Sequence, residues 1–87
     1  MKINVLDTEY DYKVTSDDID AYTIHEARNK IILVSDKACK QDIQRIIFHA
    51  FLFESSYLDR YDDEILVDWL SIQFPKILEV LKQADAL

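Results

Sequence analysis

The 87-residue sequence contains no glycine, one proline, one cysteine and one tryptophan. Without glycine the chain cannot build the Gly-rich turns that cradle phosphates, so P-loop and dinucleotide-binding fingerprints are excluded. Its tight turns must use Asp and Asn, the other residues that tolerate left-handed backbone. The lone Cys39 allows no disulfide within the chain, which suits a reducing cytosol. Free cysteine is habitually buried, so Cys39 is expected in the core. No apolar run approaches the roughly 18 residues of a membrane span. Met1 leads directly into a strand-like segment instead of a basic and then apolar leader. The expectation is a single soluble, cytoplasmic domain over residues 1–87 with no membrane partner. Basic residues are also scarce, at 10 Lys and Arg against 17 Asp and Glu, for a net charge of −7. Phosphate backbones are bound by basic faces, so direct nucleic-acid binding is not expected.

What is present is a patterned, half-apolar chain. Lys2 to Leu6 and Glu9 to Val14 each alternate polar and apolar, as half-buried strands do, with Asp7-Thr8 as the turn between them. Tyr10, Tyr12 and Val14 share a face. Ala21 to His25 and Lys30 to Val34 form a second predicted hairpin, with Asn29 suited to a positive φ in its turn. The unbroken apolar run Ile31 to Val34 predicts a strand in the middle of the sheet. Ser35 or Asp36 can cap a helix from about Lys37 to Ser55, with Cys39, Ile43, Ile46, Ile47, Ala50 and Phe51 facing inward. Asp62 or Asp63 starts the next helix, where Ile65, Leu66, Trp69 and Ile72 continue the inward face. Pro75 predicts a kink, or a break that opens a third helix. The fold class is α+β, a small antiparallel sheet of two β-hairpins packed on two or three α-helices.

The acids are clustered. Residues 1–20 carry six acids, Asp7, Glu9 and Asp11 among them, against two lysines. Residues 54–68 carry six more against Arg60 alone. Within the second cluster Tyr57 and Tyr61 flank Asp59, Asp62, Asp63 and Glu64, and aromatic residues beside acids are common on binding surfaces. These six are the candidate contact residues, with the hairpin acids second.

The segment Arg45-Ile46-Ile47-Phe48-His49 has the layout of a zinc-peptidase helix. Such a helix reads H-E-x-x-H, with two His one turn apart to hold the metal and a Glu as general base. Here His49 is present, but Arg45 and Ile46 occupy the seats of the first His and the Glu. A guanidinium stays protonated and has no lone pair to offer, and a branched hydrocarbon moves no proton. Arg45, on the same face as His49, could instead bridge to Glu64 or Asp68 and join two helices by an ion pair. A soft metal site of His25, His49 and Cys39 fits no known ligand spacing.

His49-Ala50-Phe51-Leu52-Phe53-Glu54-Ser55, then Val67-Asp68-Trp69 and Ile72-Gln73-Phe74-Pro75-Lys76-Ile77, resembles a family of short zincin-like metallopeptidases encoded in phages and prophages of Gram-positive bacteria. Asp7-Thr8-Glu9-Tyr10 is similar to that family's hairpin turn. The resemblance covers most of the chain and is strongest over residues 45–77. It implies a minimal zincin-like fold in which His49, with Glu64 or Asp68, is the relic of a ligand set. The departures fall on the chemistry, so the expectation is a non-catalytic scaffold with no cofactor. A small acidic phage-type chain of this kind is expected to bind and block a host protein with a basic surface, a CRISPR effector nuclease being the model case in the manner of anti-CRISPR inhibitors. The alternative is a small metal-dependent peptidase, or its inactive remnant with a structural or accessory role in the phage. The broad apolar arc around Phe48, Leu52 and Phe53 also admits a homodimer.

Overall fold

In the computed structural model, which describes residues 1–55 and 63–86, the first hairpin joins β1 (Lys2–Val5) to β2 (Thr8–Thr15). Its turn lies at Leu6 and Asp7, one residue earlier than the composition suggested, and both take left-handed backbone, with φ of 50° and 66°. Two consecutive positive φ values give the turn the twist that a two-residue hairpin loop requires. In the absence of glycine the turn is held by a side chain, as Asn4 Oδ1 accepts from the Asp7 N–H at 2.7 Å. A short 3-10 turn (Asp20–Tyr22) leads into β3 (Thr23–Glu26), which pairs antiparallel with β4 (Ile31–Ser35). In the β3–β4 turn the positive φ falls on Lys30 (55°), not on Asn29.

Both expected antiparallel pairs form, but the sheet is not antiparallel throughout. Its order is β1-β2-β4-β3, and the central seam of β2 against β4 is parallel, Asp11 to Thr15 lying beside Ile31 to Ser35. The loop after β2 carries the chain past the sheet, so β3 returns at the far edge and β4 is inserted beside β2. Alternation shows which residues share a face but not which strand edges meet. The fold is therefore α+β with a mixed four-stranded sheet. The central place expected for Ile31 to Val34 is observed, with Ile32 and Val34 buried.

Helix α1 spans Lys40–Glu54 and lies on the sheet. It starts later than predicted, because Ser35 is used elsewhere: its hydroxyl accepts from the Lys37 N–H in the turn that leaves β4. Cys39 is the N-cap residue, with its backbone N–H bonded to Asp42 Oδ2 at 3.0 Å, and it is exposed, not part of the core. Ile46 and Ala50 close over Val5, Tyr10, Ile32 and Val34 to form the core, with Ile43 and Ile47 packed at its margin. Phe51, expected to face inward, is exposed, as is Val14.

Helix α2 spans Glu64–Gln83 without a break at Pro75, so no third helix follows it among the described residues. The proline removes only one hydrogen bond, that to the Ser71 carbonyl. Leu, Lys, Glu and Gln on the C-terminal side of Pro75 are good helix formers and carry the helix on. Asp63 caps the start, accepting from the Leu66 N–H at 3.0 Å. This helix packs on α1. Only Val67 and Ser71 are fully buried on it. Ile65, Trp69 and Ile72, expected to face the core, stand on the outside. A helix with one neighbour to cover it needs only one inward stripe.

Candidate functional site

Two arrangements bear on function. The first joins α1 to α2. Arg45 reaches from α1 to Asp68 Oδ1 at 2.6 Å through Nε and to Glu64 Oε2 through its terminal nitrogen. Glu64 and Asp68 are one helical turn apart at the start of α2, which lines both carboxylates up for one planar guanidinium. Both partners foreseen as alternatives are engaged together. Glu64 is thereby tied into the fold, and Asp63 is tied in as the helix cap. Of the other residues proposed for binding, Tyr57, Asp59, Tyr61 and Asp62 lie outside the described residues.

The second arrangement lies between α1 and the sheet, where His49 turns away from Arg45. His49 Nδ1 sits 2.9 Å from Nδ1 of His25 on β3, their rings edge to face. His25 Nε2 is 2.9 Å from the Tyr10 hydroxyl on β2, and that hydroxyl donates to Glu54 Oε2 at 2.5 Å. Glu54, at the last turn of α1, also accepts from Lys30 Nζ at 2.8 Å and from the Thr8 hydroxyl at 3.2 Å. Its side chain is only 10 % exposed, so these three donors replace the water it has lost. Phe53 closes the cluster, its ring edge-on to His25 and 5.0 Å from the Lys30 ammonium.

The electrostatics follow from this packing. Burial, together with the neighbouring His49 and the Lys30 charge, pushes His25 from 6.5 down to about 4 against the opposing pull of Glu54. Burial works to raise Glu54, but the hydrogen bonds from Lys30, Tyr10 and Thr8 outweigh it and hold the carboxyl below its usual range. Burial, with the hydrogen bond and charge of Glu54, moves the Tyr10 hydroxyl far above its ordinary value.

Sequence reasoning set aside a metal site of His25, His49 and Cys39 for want of a known ligand spacing; His25 and His49 do meet, and Cys39 caps the other end of α1. The same reasoning missed Tyr10, Thr8, Lys30 and Glu54 as partners. The available signal was Glu54, a single acid closing the apolar run Phe51-Leu52-Phe53. Among the described residues no group of three or more His, Cys, Asp or Glu is placed to hold a metal ion. The zinc that the resemblance implies does not fit the donors around Arg45, a cation lying where the first ligand belongs. No protein family model, curated protein or solved structure matches this chain.

Outside these clusters the apolar surface is extensive. Ile65 is 84 % and Trp69 54 % exposed, and Ile72 and Val80 continue the same side of α2. On the exposed flank of α1, Ile43, Ile47, Phe48 and Phe51 line an apolar groove with Phe74 of α2. No helix among the described residues is long and apolar enough to cross a membrane.

Proposed function

We propose that this chain is a non-catalytic binding protein of the phage-inhibitor kind, built on a degenerate zincin-like scaffold, which sets an acidic surface with an apolar anchor against a basic host protein. The observation that carries this reading is the outer side of α2. Ile65, Trp69 and Ile72 follow one another at spacings of four and three residues, as a docking stripe does, on the side turned away from α1. Exposed tryptophan at the middle of an apolar stripe is the residue type that anchors interfaces. Glu79 stands exposed beside the stripe, and the whole chain carries −7. The field of such a molecule attracts a basic surface and repels an acidic one. Carboxylates engage the same Lys and Arg forks that hold nucleic-acid phosphates, so the basic channel of a host nuclease, a CRISPR effector among them, is the partner class with matching chemistry. Tyr57, Asp59, Tyr61 and Asp62, just ahead of α2 in the chain, belong to the same proposed contact.

Arg45 supports the non-catalytic half of the proposal, since a permanent cation occupies the place where a peptidase would hold its metal. The test is to titrate the purified chain into guide-loaded effector nucleases of Gram-positive hosts and follow both complex formation and DNA cleavage. Inhibition that disappears in the Ile65→Ser, Trp69→Ser double variant is the expected result. Both side chains are exposed, so the variant keeps its fold, which circular dichroism checks. Undiminished inhibition by the double variant would remove this face from the proposal, and absence of any complex across the panel would remove the partner class. Asp63 and Glu64 are poor choices for this test, because charge reversal there also breaks the cap and the Arg45 bridge.

A further inference from the structure

We propose that this chain pairs with a second copy of itself about a twofold axis, the C-terminal half of each α2 lying in the apolar groove between α1 and α2 of the other. The inference rests on two apolar surfaces that adjoin and have no cover among the described residues. The first is the end of α2. Val67, Ser71, Phe74, Leu78 and Leu81 follow at spacings of four, three, four and three residues, which makes them one stripe. Its first two members are buried on the side packed against α1. From Phe74 onward the cover is lost. Phe74 and Ile77 are each 41 % exposed, and Leu78 and Leu81 are only partly buried. With 15 residues against 20, α1 is about 7 Å shorter than α2 and cannot cover its whole length. The second surface is the groove of Ile43, Ile47, Phe48 and Phe51 with Phe74, in which Gln44 is the polar member. Phe74 belongs to both surfaces, its ring edge-on to Phe48 with centroids 5.2 Å apart. Stripe and groove are therefore one patch, continuous with the α1–α2 interface.

Shape, charge and area select a second copy as the occupant. A patch that presents both an apolar helix and an apolar groove is complementary to itself, and a twofold axis covers both on both chains at once. A partner offering one helix would fill the groove and leave the stripe bare. Charge points the same way. Between Asp68 and Asp85 the sequence holds Lys76 and Lys82 against the single acid Glu79, a balance of +1 in a chain of −7. Glu79 sits on the far side of α2 from the stripe, and the groove residues carry no charge. Two acidic chains meet here with the least repulsion, whereas a basic partner is drawn to the acid clusters elsewhere. A stable pairing takes about 800 Å² from each chain, roughly an eighth of the 6114 Å² that this one exposes. Three turns of one helix are too little for that, so the groove must be covered as well. Each chain then contributes two helices to a four-helix packing. Ile65, Trp69 and Ile72 lie on the opposite side of α2 and stay free for a different partner.

The test is sedimentation of the whole chain over a concentration series, with no other protein present, so its failure leaves the proposed host contact untouched. A reversible species of twice 10.3 kDa is expected. Phe51→Glu in the groove and Ile77→Lys on the stripe are each expected to weaken the pairing by at least roughly a hundredfold, because the twofold buries the new charge twice. Both side chains are exposed, and circular dichroism checks that the variants fold. If either does not, Phe51→Ser and Ile77→Ser serve, with an expected weakening of roughly tenfold each. Mixing Phe51→Glu with Ile77→Lys restores a dimer, since one groove then sets opposite charges face to face and the other contact is unaltered. The Ile65→Ser, Trp69→Ser variant stays dimeric. A wild-type chain that remains a monomer throughout the series would overturn the proposal, and uptake of an apolar dye by that monomer, lost in Phe51→Glu, would assign the groove to another occupant. Pairing that survives both groove and stripe substitutions, a mixture that stays monomeric, or pairing lost with Ile65 and Trp69 would each overturn it too.

Discussion

Single residues here carry strain and polarity that the sequence composition announces only in part. Six non-glycine residues among those described adopt positive φ, one of them Ala21 at 54°, in a chain without glycine. Left-handed backbone costs an L-residue with a Cβ about 1 kcal/mol relative to glycine. Ala21 is exposed, so Ala21→Gly is expected to raise the unfolding free energy by roughly 0.5–1 kcal/mol, read as a higher midpoint in urea. Tyr10 illustrates the opposite dependence. Its ring is fully buried in the core while its hydroxyl joins Glu54 to His25. Tyr10→Phe keeps the ring but removes the acceptor facing His25 and one of the three donors to Glu54, at an expected cost of about 1–3 kcal/mol in chemical denaturation. Alternation placed Tyr10 on one face with Tyr12 and Val14 but did not mark it as a core residue, and Val14 on that face is exposed. Nothing local to Tyr10 could reveal Glu54 as its partner, because that contact spans 44 positions and depends on where α1 lands.

At the scale of elements, the helices and strands were legible in kind, and their neighbours were not. The two antiparallel pairs followed from alternation and turn residues, and the buried run Ile31 to Val34 placed β4 inside the sheet. The parallel seam between β2 and β4 was invisible, since both edges of a strand carry the same backbone groups. Helix α2 was misjudged on its outer side because Ile65, Trp69 and Ile72 are as apolar as its inner residues. Periodicity reports an apolar stripe without saying what covers it. The Arg45 clamp, by contrast, was legible, because Arg45, Glu64 and Asp68 fall on facing turns of two helices. Its strength is limited, since Glu64 and Asp68 are more than half exposed to water. Arg45→Ala is expected to cost about 1 kcal/mol, or some 4–8 °C in Tm for a domain of this size. Arg45→Lys recovers less than half of that loss, because an ammonium lacks the planar fork that meets two carboxylates at once. Calorimetry of the two variants checks both statements.

The whole molecule combines an acidic field with a sheet packed on α1 and α2 packed on α1. Its stability should depend on pH from both ends. His25 is depressed in the folded state, so its contribution is full above about 6.5 and is lost as pH falls towards about 4. Glu54 is also depressed, and its contribution is lost only at lower pH, as the carboxyl is protonated. Tyr10 is raised, so its contribution is lost as pH climbs above the ordinary tyrosine value of 10. Thermal melts are therefore expected to show a plateau near neutrality, an acid limb beginning near 6.5 and an alkaline limb above 10. An acid limb that begins only below 4.5 would mean that His25 plays no part in it. Binding to a basic partner should weaken as salt rises, since screening reduces the attraction of a −7 molecule.

These scales meet in one claim of the proposal: the Arg45 guanidinium, paired with Glu64 and Asp68, joins α1 to α2 where the proposed scaffold would otherwise hold a metal. Elemental analysis of the purified protein, beside a His49→Ala control, measures this most directly. The account predicts zinc far below one equivalent per chain and no difference between the two proteins. One zinc per chain, lost with His49, would contradict it.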